Sequence, residues 1–507
     1  MLKLAVVGGG PSAVCVVDAV ARHLTHDTPV EITVFEPGPN LWQGQAFQSD
    51  GDEVLANVPM VAMSARTWDR RDGVNWMLEQ GLDEFAADDV FPPRWLVGRY
   101  FQYAAGRTVA ALPATGSALR VQPQTVRALV MGENRLWARG DDWSAGPFDH
   151  AVLCPGGPPP SDPYRLTGAA GYIHVPYPLS RSLAEVPAQA KVGIVGSGLT
   201  AVDIVMALHA RDHQGPIALV SRNGLLPAVR GPLKQHDPLH LTVPRLEAIA
   251  AEKGELDLTD VIALARAELG DAGADTAVIA EDVAEAAPVV QRLRDELDRA
   301  VRDRDPGWTM LRDTLVACGQ DAWYLLRDED KVRVRARHQT LMRLCCPMPP
   351  VNAARLLELF ETGQLGLCPE VQSIKPISGR GFHIQAARDV IVDVVIAAST
   401  PAKRQLAPAA APQVTALVSQ GLAVPHPFGG VRVDRTTSRL ISRRGVAHKR
   451  LHALGDITHG AYLFTFGLPV LAARADCIAR DITATTQHVQ RAGEPAERDQ
   501  HAPTLPS

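Results

Sequence analysis

Two stretches of the chain share one hydrophobic pattern. Residues 2–7 form an apolar run of strand length that stops at Gly8-Gly9-Gly10, and an apolar helical pattern starts at about Pro11. Residues 191–204 repeat it: the apolar run breaks at Gly196-Ser-Gly198 and leads into a second helix. Each helix is followed by another apolar run. The first, Val30–Phe35, ends on Glu36, and the second, Ile217–Val220, ends on Ser221-Arg222. Strand, tight turn, helix, strand is a βαβ unit, so the pattern predicts two of them about 190 residues apart.

Elsewhere the pattern changes. Phe91–Tyr103 reads as a loop entering a helix. Leu119–Val121, Thr125–Val130 and Arg135–Arg139 are short runs that predict a meander of antiparallel strands. Phe148–Gly157 predicts a strand closing in a glycine turn, and Pro158-Pro-Pro160 a stiff exit. Residues 161–190 are proline-rich and read as a linker, with His174 structural rather than catalytic. From Pro244 to about Asp330, acids and bases alternate at helical spacing, which predicts solvated helices inserted in the second unit. The basic stretch Val332–Arg343 reads as a further solvated face; facing a cleft, it would favour an anionic substrate. Val351–Glu361 predicts a helix stopped at Gly363, and Gln372–Ile377, Gly381–Gln385 and Asp393–Thr400 predict strands. In Arg450–Arg474 a strand ends at Gly455-Asp456, and a loop leads to a helix starting near Gly467 or Leu468. Residues 486–507 are polar and proline-containing, which predicts disorder.

Composition narrows the class. With 507 residues, 46% hydrophobic and 21% charged, the chain has the material for two or three domains with large cores. A net charge of −5 argues against a nucleic-acid partner or an anionic membrane surface. The apolar runs are too short for a membrane span, and the N-terminus reads as strand and turn rather than as a signal peptide. Seven cysteines without a C-x-x-C pattern fit a reducing cytoplasm and no metal site; Cys345-Cys346 reads as two small apolar residues ahead of a redox pair.

The glycine turns carry the candidate chemistry. Both read G-x-G-x-x-A, with Gly8, Gly10 and Ala13 in the first and Gly196, Gly198 and Ala201 in the second. The first glycine permits the turn, the second lets backbone approach a pyrophosphate, and the alanine packs helix against strand. The helix N-terminus, around Pro11 and Ser12 or around Thr200, offers free N–H groups to phosphate. Glu36 can accept hydrogen bonds from ribose hydroxyls, whereas Arg222 suits a 2′-phosphate, so the second turn reads as an NADPH site. Gly44 would let backbone pass a flat ligand. Asn57 reads equally as a satisfied amide in a buried loop or as a polar group near a ring system. Arg94 and Arg99 are candidate anion ligands. Asp456 can accept from ribityl hydroxyls, and the helix starting at Gly467 can stabilise negative charge on a reduced flavin.

The chain resembles the two-dinucleotide-binding flavoproteins and, more narrowly, the bacterial FAD/NAD(P)-binding proteins related to flavin-dependent N-hydroxylating monooxygenases. Gly8–Ala13 with Glu36, Gly44-Gln-Ala-Phe47, Asn57-Val-Pro59, Pro93-Arg94, Gly98-Arg-Tyr100, Gly196–Ala201, Ser221-Arg-Asn-Gly-Leu-Leu-Pro227 and Leu454-Gly-Asp456 carry the resemblance. It implies an α/β fold: two Rossmann-like dinucleotide-binding domains with an antiparallel β-meander and a helical insertion. The expected boundaries are an FAD-binding part over 1–180, an NAD(P)H-binding domain over 190–400 with the insertion at about 244–345, a C-terminal part over 401–485 completing the FAD domain, and the tail. By the resemblance, the first turn, Glu36 and Gly455-Asp456 hold FAD, with Val126 near its adenine and Cys154-Pro-Gly156 near its pyrophosphate. The second turn with Arg222 holds NADPH. The strand ends Cys154-Pro-Gly156 and Ala398-Ser-Thr400 depart from the family's usual A-T-G.

The activity this implies is a cytoplasmic, FAD-dependent, NADPH-using monooxygenase. It would oxygenate a small nucleophilic substrate with O₂ through a flavin C4a-hydroperoxide, most simply by N-hydroxylation of an amine or amino acid. Asn57 would lie near the reacting atoms, and Arg94 or Arg99 would anchor a substrate carboxylate. The alternatives are an FAD-dependent amine oxidase or dehydrogenase without oxygen transfer, and a non-catalytic FAD-binding redox or assembly protein. A homodimer is compatible with the sequence.

Overall fold

The computed structural model describes residues 1–493 except 25–28, 235, 286, 380, 400–405, 407, 409 and 466, with side chains to Ala484. Two parallel sheets organise the chain. The first has six strands in the order Arg439–Ile441, Ala447–Ala453, His150–Leu153, Leu2–Val7, Val30–Phe35 and Ala118–Gln122, parallel except for the first. Alternation along Leu2–Val7 sets the layers. Leu4 and Val6 face the helices Pro11–His23, Arg94–Ala111 and Leu468–Gly493, whereas Ala5 and Val7 face the opposite layer. That layer contains an antiparallel sheet of Ala128–Met131, Leu136–Arg139 and Ser144–Phe148, together with the helix Ala410–Ser419.

The second sheet runs in the order Leu365–Cys368, Ile217–Val220, Val192–Val195, Val394–Ala397 and Tyr172–Ile173, all parallel. Its apolar strands are buried between the helices Leu199–Ala210 and Pro350–Glu361 on one side and the small sheet Ser373–Ile377, Gly381–Gln385 and Val390–Val392 on the other. In both parallel sheets the strand before the glycine turn lies at the point where the strand order reverses. Ligands of open α/β sheets bind outside the strand carboxyl ends at that crevice.

Among the described residues the insertion consists of seven helices, Val243–Lys253 to His338–Cys345, between Ile217–Val220 and Leu365–Cys368 of the second sheet. Its core is Leu246, Leu256, Cys318, Ala322 and Trp323. It docks on the C-terminal part of the first domain: Trp323 Nε1 donates to the Gly460 carbonyl at 3.0 Å, and Gln320 Nε2 donates to that of Phe464 at 2.6 Å.

Several expectations change. Leu119–Val121 is not in the meander; Ala118–Gln122 extends the first parallel sheet beside Val30–Phe35, and the meander takes Ser144–Phe148 instead. Pro147 is tolerated there because this strand is at the sheet edge. The linker 161–190 supplies an edge strand, Tyr172–Ile173, to the second sheet. The basic stretch is not a uniformly solvated face: Arg343 is buried against Glu296, and Arg335 lies over the rings of Trp323 and Phe428. The last helix continues to Gly493, beyond the expected start of the disordered tail, and residues 494–507 lie outside the described residues. Thr400 of the Ala398-Ser-Thr strand end does so as well. Among the described residues no helix is long and apolar enough to cross a membrane.

Candidate active site between two nucleotide folds

The first turn is shaped by what crosses it. Gly8 has φ +107°, and a Cβ there would lie 2.1 Å from the Cys154 carbonyl oxygen. Ala13 is fully buried against the strand. Gly10 begins the helix in an extended conformation without a side-chain cap. An uncapped helix N-terminus behind a glycine turn suits a phosphate, whose oxygens satisfy the first-turn N–H groups. The loop after Asn40 closes over it: a Cβ on Gly44 would lie 3.6 Å from the Gly10 Cα and 3.3 Å from Pro11 Cδ. Trp42, at φ +71°, donates its N–H to the Gly9 carbonyl at 2.5 Å.

Glu36 stands at the strand end as expected. Its carboxylate accepts from the Gly9 and Gly38 N–H groups at 2.8 Å each, which fixes its orientation beside the turn. Gly455 abuts Ser12, whose Oγ would lie 3.3 Å from a Cβ at that position. Asp456 follows at the base of the crevice, next to the Gly156-Gly157 turn, and burial raises its pKa. Gly467, at φ +91°, directly precedes the helix Leu468–Gly493. Val126 is buried in the layer behind Phe35, its carbonyl accepting from Gln413 Nε2 at 2.9 Å. The residues around the first sheet's carboxyl ends thus form a narrow glycine-lined cradle with an uncapped helix and two carboxylates, which fits a dinucleotide.

The second turn repeats the geometry. Gly196 has φ +128°, and a Cβ would lie 2.4 Å from the Ala398 carbonyl oxygen. Gly198 caps the helix Leu199–Ala210 in the extended conformation of Gly10, again without a side-chain cap, and Thr200 and Ala201 lie in its first turn. Among the described residues nothing lies within 4 Å of a Cβ on Gly198, so they leave this turn open. Ser221 accepts from the Gly224 N–H at 2.9 Å, and Arg222 beside it is exposed.

Arg94 has a different place from the one expected. Its Nη2 pairs with Asp203 at 2.7 Å, its Nε donates to the Leu55 carbonyl at 3.0 Å, and its Nη1 donates to Tyr177 Oη at 3.3 Å. Tyr177 also donates to Asp203. All three guanidinium nitrogens are engaged, so Arg94 ties the first domain to the pyrophosphate helix of the second rather than offering itself to a substrate. Arg99 points into solvent from the helix Arg94–Ala111. Asn57 is half-buried, and its carbonyl accepts from Arg230 Nε at 2.6 Å. Sequence reasoning missed Asp203, Tyr177 and Arg230. A signal existed for Asp203, an acid within an otherwise apolar buried helix; Arg230 lies in a loop where no periodicity singles it out.

Comparison with known proteins gives the class first. Residues 5–158, which contain the first nucleotide unit, match a family model described as FAD-NAD(P)-binding. No curated protein matches the chain in sequence. Among solved structures, L-lysine 6-monooxygenase from Pseudomonas syringae is similar with a TM-score of 0.61 at 15% identity, over 97% of this chain and 100% of that one. Ornithine hydroxylase from Pseudomonas aeruginosa gives 0.56 at 15% identity, over 96% and 100%. The cadaverine monooxygenase of desferrioxamine biosynthesis from Erwinia amylovora, solved with FAD, gives 0.55 at 14% identity, over 99% and 98%. The chain therefore has the fold of the two-dinucleotide-binding flavoproteins along nearly its whole length.

Proposed function

We propose that the protein is an FAD-dependent, NADPH-using monooxygenase that N-hydroxylates an amine or amino acid. One observation carries this reading: two uncapped glycine turns of matching geometry, one closed over and one open, are tied together through Arg94 and Asp203. The solved structures of this fold that act on lysine, ornithine and cadaverine support the choice of nitrogen.

In this reading Gly8, Gly10, Pro11, Ser12, Ala13 and Gly156 receive the FAD pyrophosphate. Glu36 receives the adenine-side ribose and Val126 backs the adenine. Gly44, Asp456 and Gly467 border the ribityl chain and ring. Gly196, Gly198, Thr200 and Ala201 receive the NADPH pyrophosphate, and Arg222 grips its 2′-phosphate. When bound, the two cofactors supply the redox chemistry: two electrons from NADPH and one atom of O₂ to the substrate nitrogen, the other atom leaving as water. The chain's own contribution is to hold the two nucleotides in register and to exclude water, with the insertion roofing the loop after Asp456. Asn57 would be the polar side chain near the ring.

The test is NADPH oxidation in air with a panel of primary amines and amino acids, with products analysed by mass spectrometry. The reading expects bound flavin, faster NADPH oxidation with one group of amines, and a product gaining one oxygen atom. Amine-driven flavin reduction without NADPH would overturn it in favour of an oxidase.

A further inference from the structure

Residues 50–57 of the first domain are gripped by the second. This segment continues the loop that closes over the first glycine turn through Trp42 and Gly44, and it ends on Asn57. Its first-domain neighbours are residues 92–95. Leu55 and Pro93 form an antiparallel bridge, the Ala56 N–H donates to the Pro92 carbonyl at 2.9 Å, and the Val54 carbonyl accepts from the Arg94 N–H at 2.8 Å. Trp95 Nε1 donates to Asp52 at 2.7 Å.

The remaining ties come from the coenzyme side. The Asp50 carboxylate accepts from the N–H groups of Leu179 and Ser180 at 2.7 Å each. These open the short helix Leu179–Ser182, which follows Pro178 and so has no side-chain acceptor of its own at that end. Leu179 and Leu183 are fully buried in the core of the second sheet, so Asp50 is bonded to backbone fixed in that domain. Val54, 2% exposed, is buried in the same core. At the far end Arg230 Nε donates to the Asn57 carbonyl. Between them Arg94 holds the Leu55 carbonyl while paired with Asp203 on the helix Leu199–Ala210.

Both ends and the middle of this strap are therefore fastened to the coenzyme-side domain. Domains of one chain move relative to each other unless specific contacts prevent it. A carboxylate accepting two N–H groups makes such a contact, since charge-assisted hydrogen bonds are roughly twice as strong as neutral ones and are directional. Placement matters because a displacement of about 1 Å at reacting groups can cost on the order of 100-fold in rate.

We propose that Asp50 is a positioning residue acting through Asn57: it fastens the strap to the coenzyme-side domain, so the domain that delivers electrons also places the polar group beside the flavin. This rests on the function proposed above for the role of Asn57. With the strap loosened, NADPH, a proton and O₂ give NADP⁺ and hydrogen peroxide. Two electrons still pass from NADPH to O₂, but no oxygen atom reaches the substrate nitrogen.

The variants are Asp50→Ala, Asp50→Asn, Asn57→Ala and the double variant Asp50→Ala/Asn57→Ala, all in the full chain. Amide hydrogen exchange is measured on the protein as purified, without added nucleotide. Asp50→Ala speeds exchange at least fivefold over both 179–183 and 51–57, while the two glycine turns change less than twofold. Faster exchange confined to 179–183 overturns the proposal. Hydrogen peroxide formed per NADPH is then measured with the amine that most accelerates NADPH oxidation. Asp50→Ala raises it at least threefold, and Asp50→Asn raises it less because its amide keeps one acceptor oxygen. In the Asn57→Ala background Asp50→Ala adds nothing further. Additive effects overturn the proposal, because a merely structural role would act independently of Asn57. NADPH affinity stays within twofold; a larger loss overturns it by assigning Asp50 to the coenzyme grip. Should Asp50→Ala fail to fold, Asp50→Asn is read in the same way. Protein that holds no flavin defeats the monooxygenase reading, and hydrogen exchange still decides whether Asp50 holds the strap.

Discussion

The two glycine turns are nearly the same local structure in different surroundings. Gly10 and Gly198 share a φ of −85° and ψ values of −166° and −167°, and Gly8 and Gly196 both cross a neighbouring carbonyl too closely for a side chain. The difference is what lies over them. The first turn is covered by the loop through Trp42 and Gly44 and flanked by Gly455-Asp456, whereas among the described residues nothing lies within 4 Å of a Cβ built on Gly198. An enclosed turn suits a cofactor that stays; an open one suits a coenzyme that exchanges. The motif sets the local shape of the turn, and the tertiary surroundings set how far it is enclosed.

The largest effects should come from the crossing glycines. Gly8→Ala combines a positive φ with a Cβ driven onto the Cys154 carbonyl, and should cost about 3–5 kcal/mol and abolish flavin retention. Gly196→Ala should cost a similar amount but leave the flavin in place. Thermal unfolding and the flavin-to-protein ratio read both, and equal flavin loss in the two variants would break the comparison.

Arg94→Ala removes one side of a buried ion pair and leaves Asp203 without its charge partner, so a loss of about 3–4 kcal/mol in urea unfolding is expected. It should also slow flavin reduction by NADPH without emptying the flavin site, as measured by anaerobic stopped flow.

Acid should weaken the FAD-side sheet. His150 is buried, and burial with its neighbours lowers its pKa to about 3. The unfolded imidazole titrates near 6.5, so the unfolded chain binds more protons between these values. The stabilisation is complete above about pH 6.5 and lost as pH falls towards 3, on the order of a few kcal/mol in all. Urea midpoints at stepwise lower pH check this; a flat profile would contradict it.

Two smaller effects sharpen the contrast. Arg222→Gln should reduce the preference for NADPH over NADH about tenfold, roughly 1.4 kcal/mol, in steady-state ratios. Gly198→Ala should change stability by less than about 0.5 kcal/mol, since its φ is ordinary and the space is free, yet weaken NADPH binding by crowding the phosphate.

Much of this was legible along the chain. Local patterns fix local structure: the apolar runs, both glycine turns, the helix start after Gly467 and the insertion all follow from short-range periodicity and from glycine's access to positive φ. Asp456 and Glu36 were readable because each closely follows the carboxyl end of a strand. Leu119–Val121 was misassigned because a short alternating run fits either a parallel edge or a meander, and only its pairing with Val30–Phe35 decides.

By itself, then, the sequence determined two phosphate-gripping turns and their strands, because each is encoded within about fifteen residues of its own neighbourhood. Tertiary structure alone decided that Arg94 is held by Asp203, more than a hundred positions away, and that Arg230 donates to the Asn57 carbonyl. A charged side chain's role depends on its partner, and partners this remote in the chain become neighbours only when the domains pack.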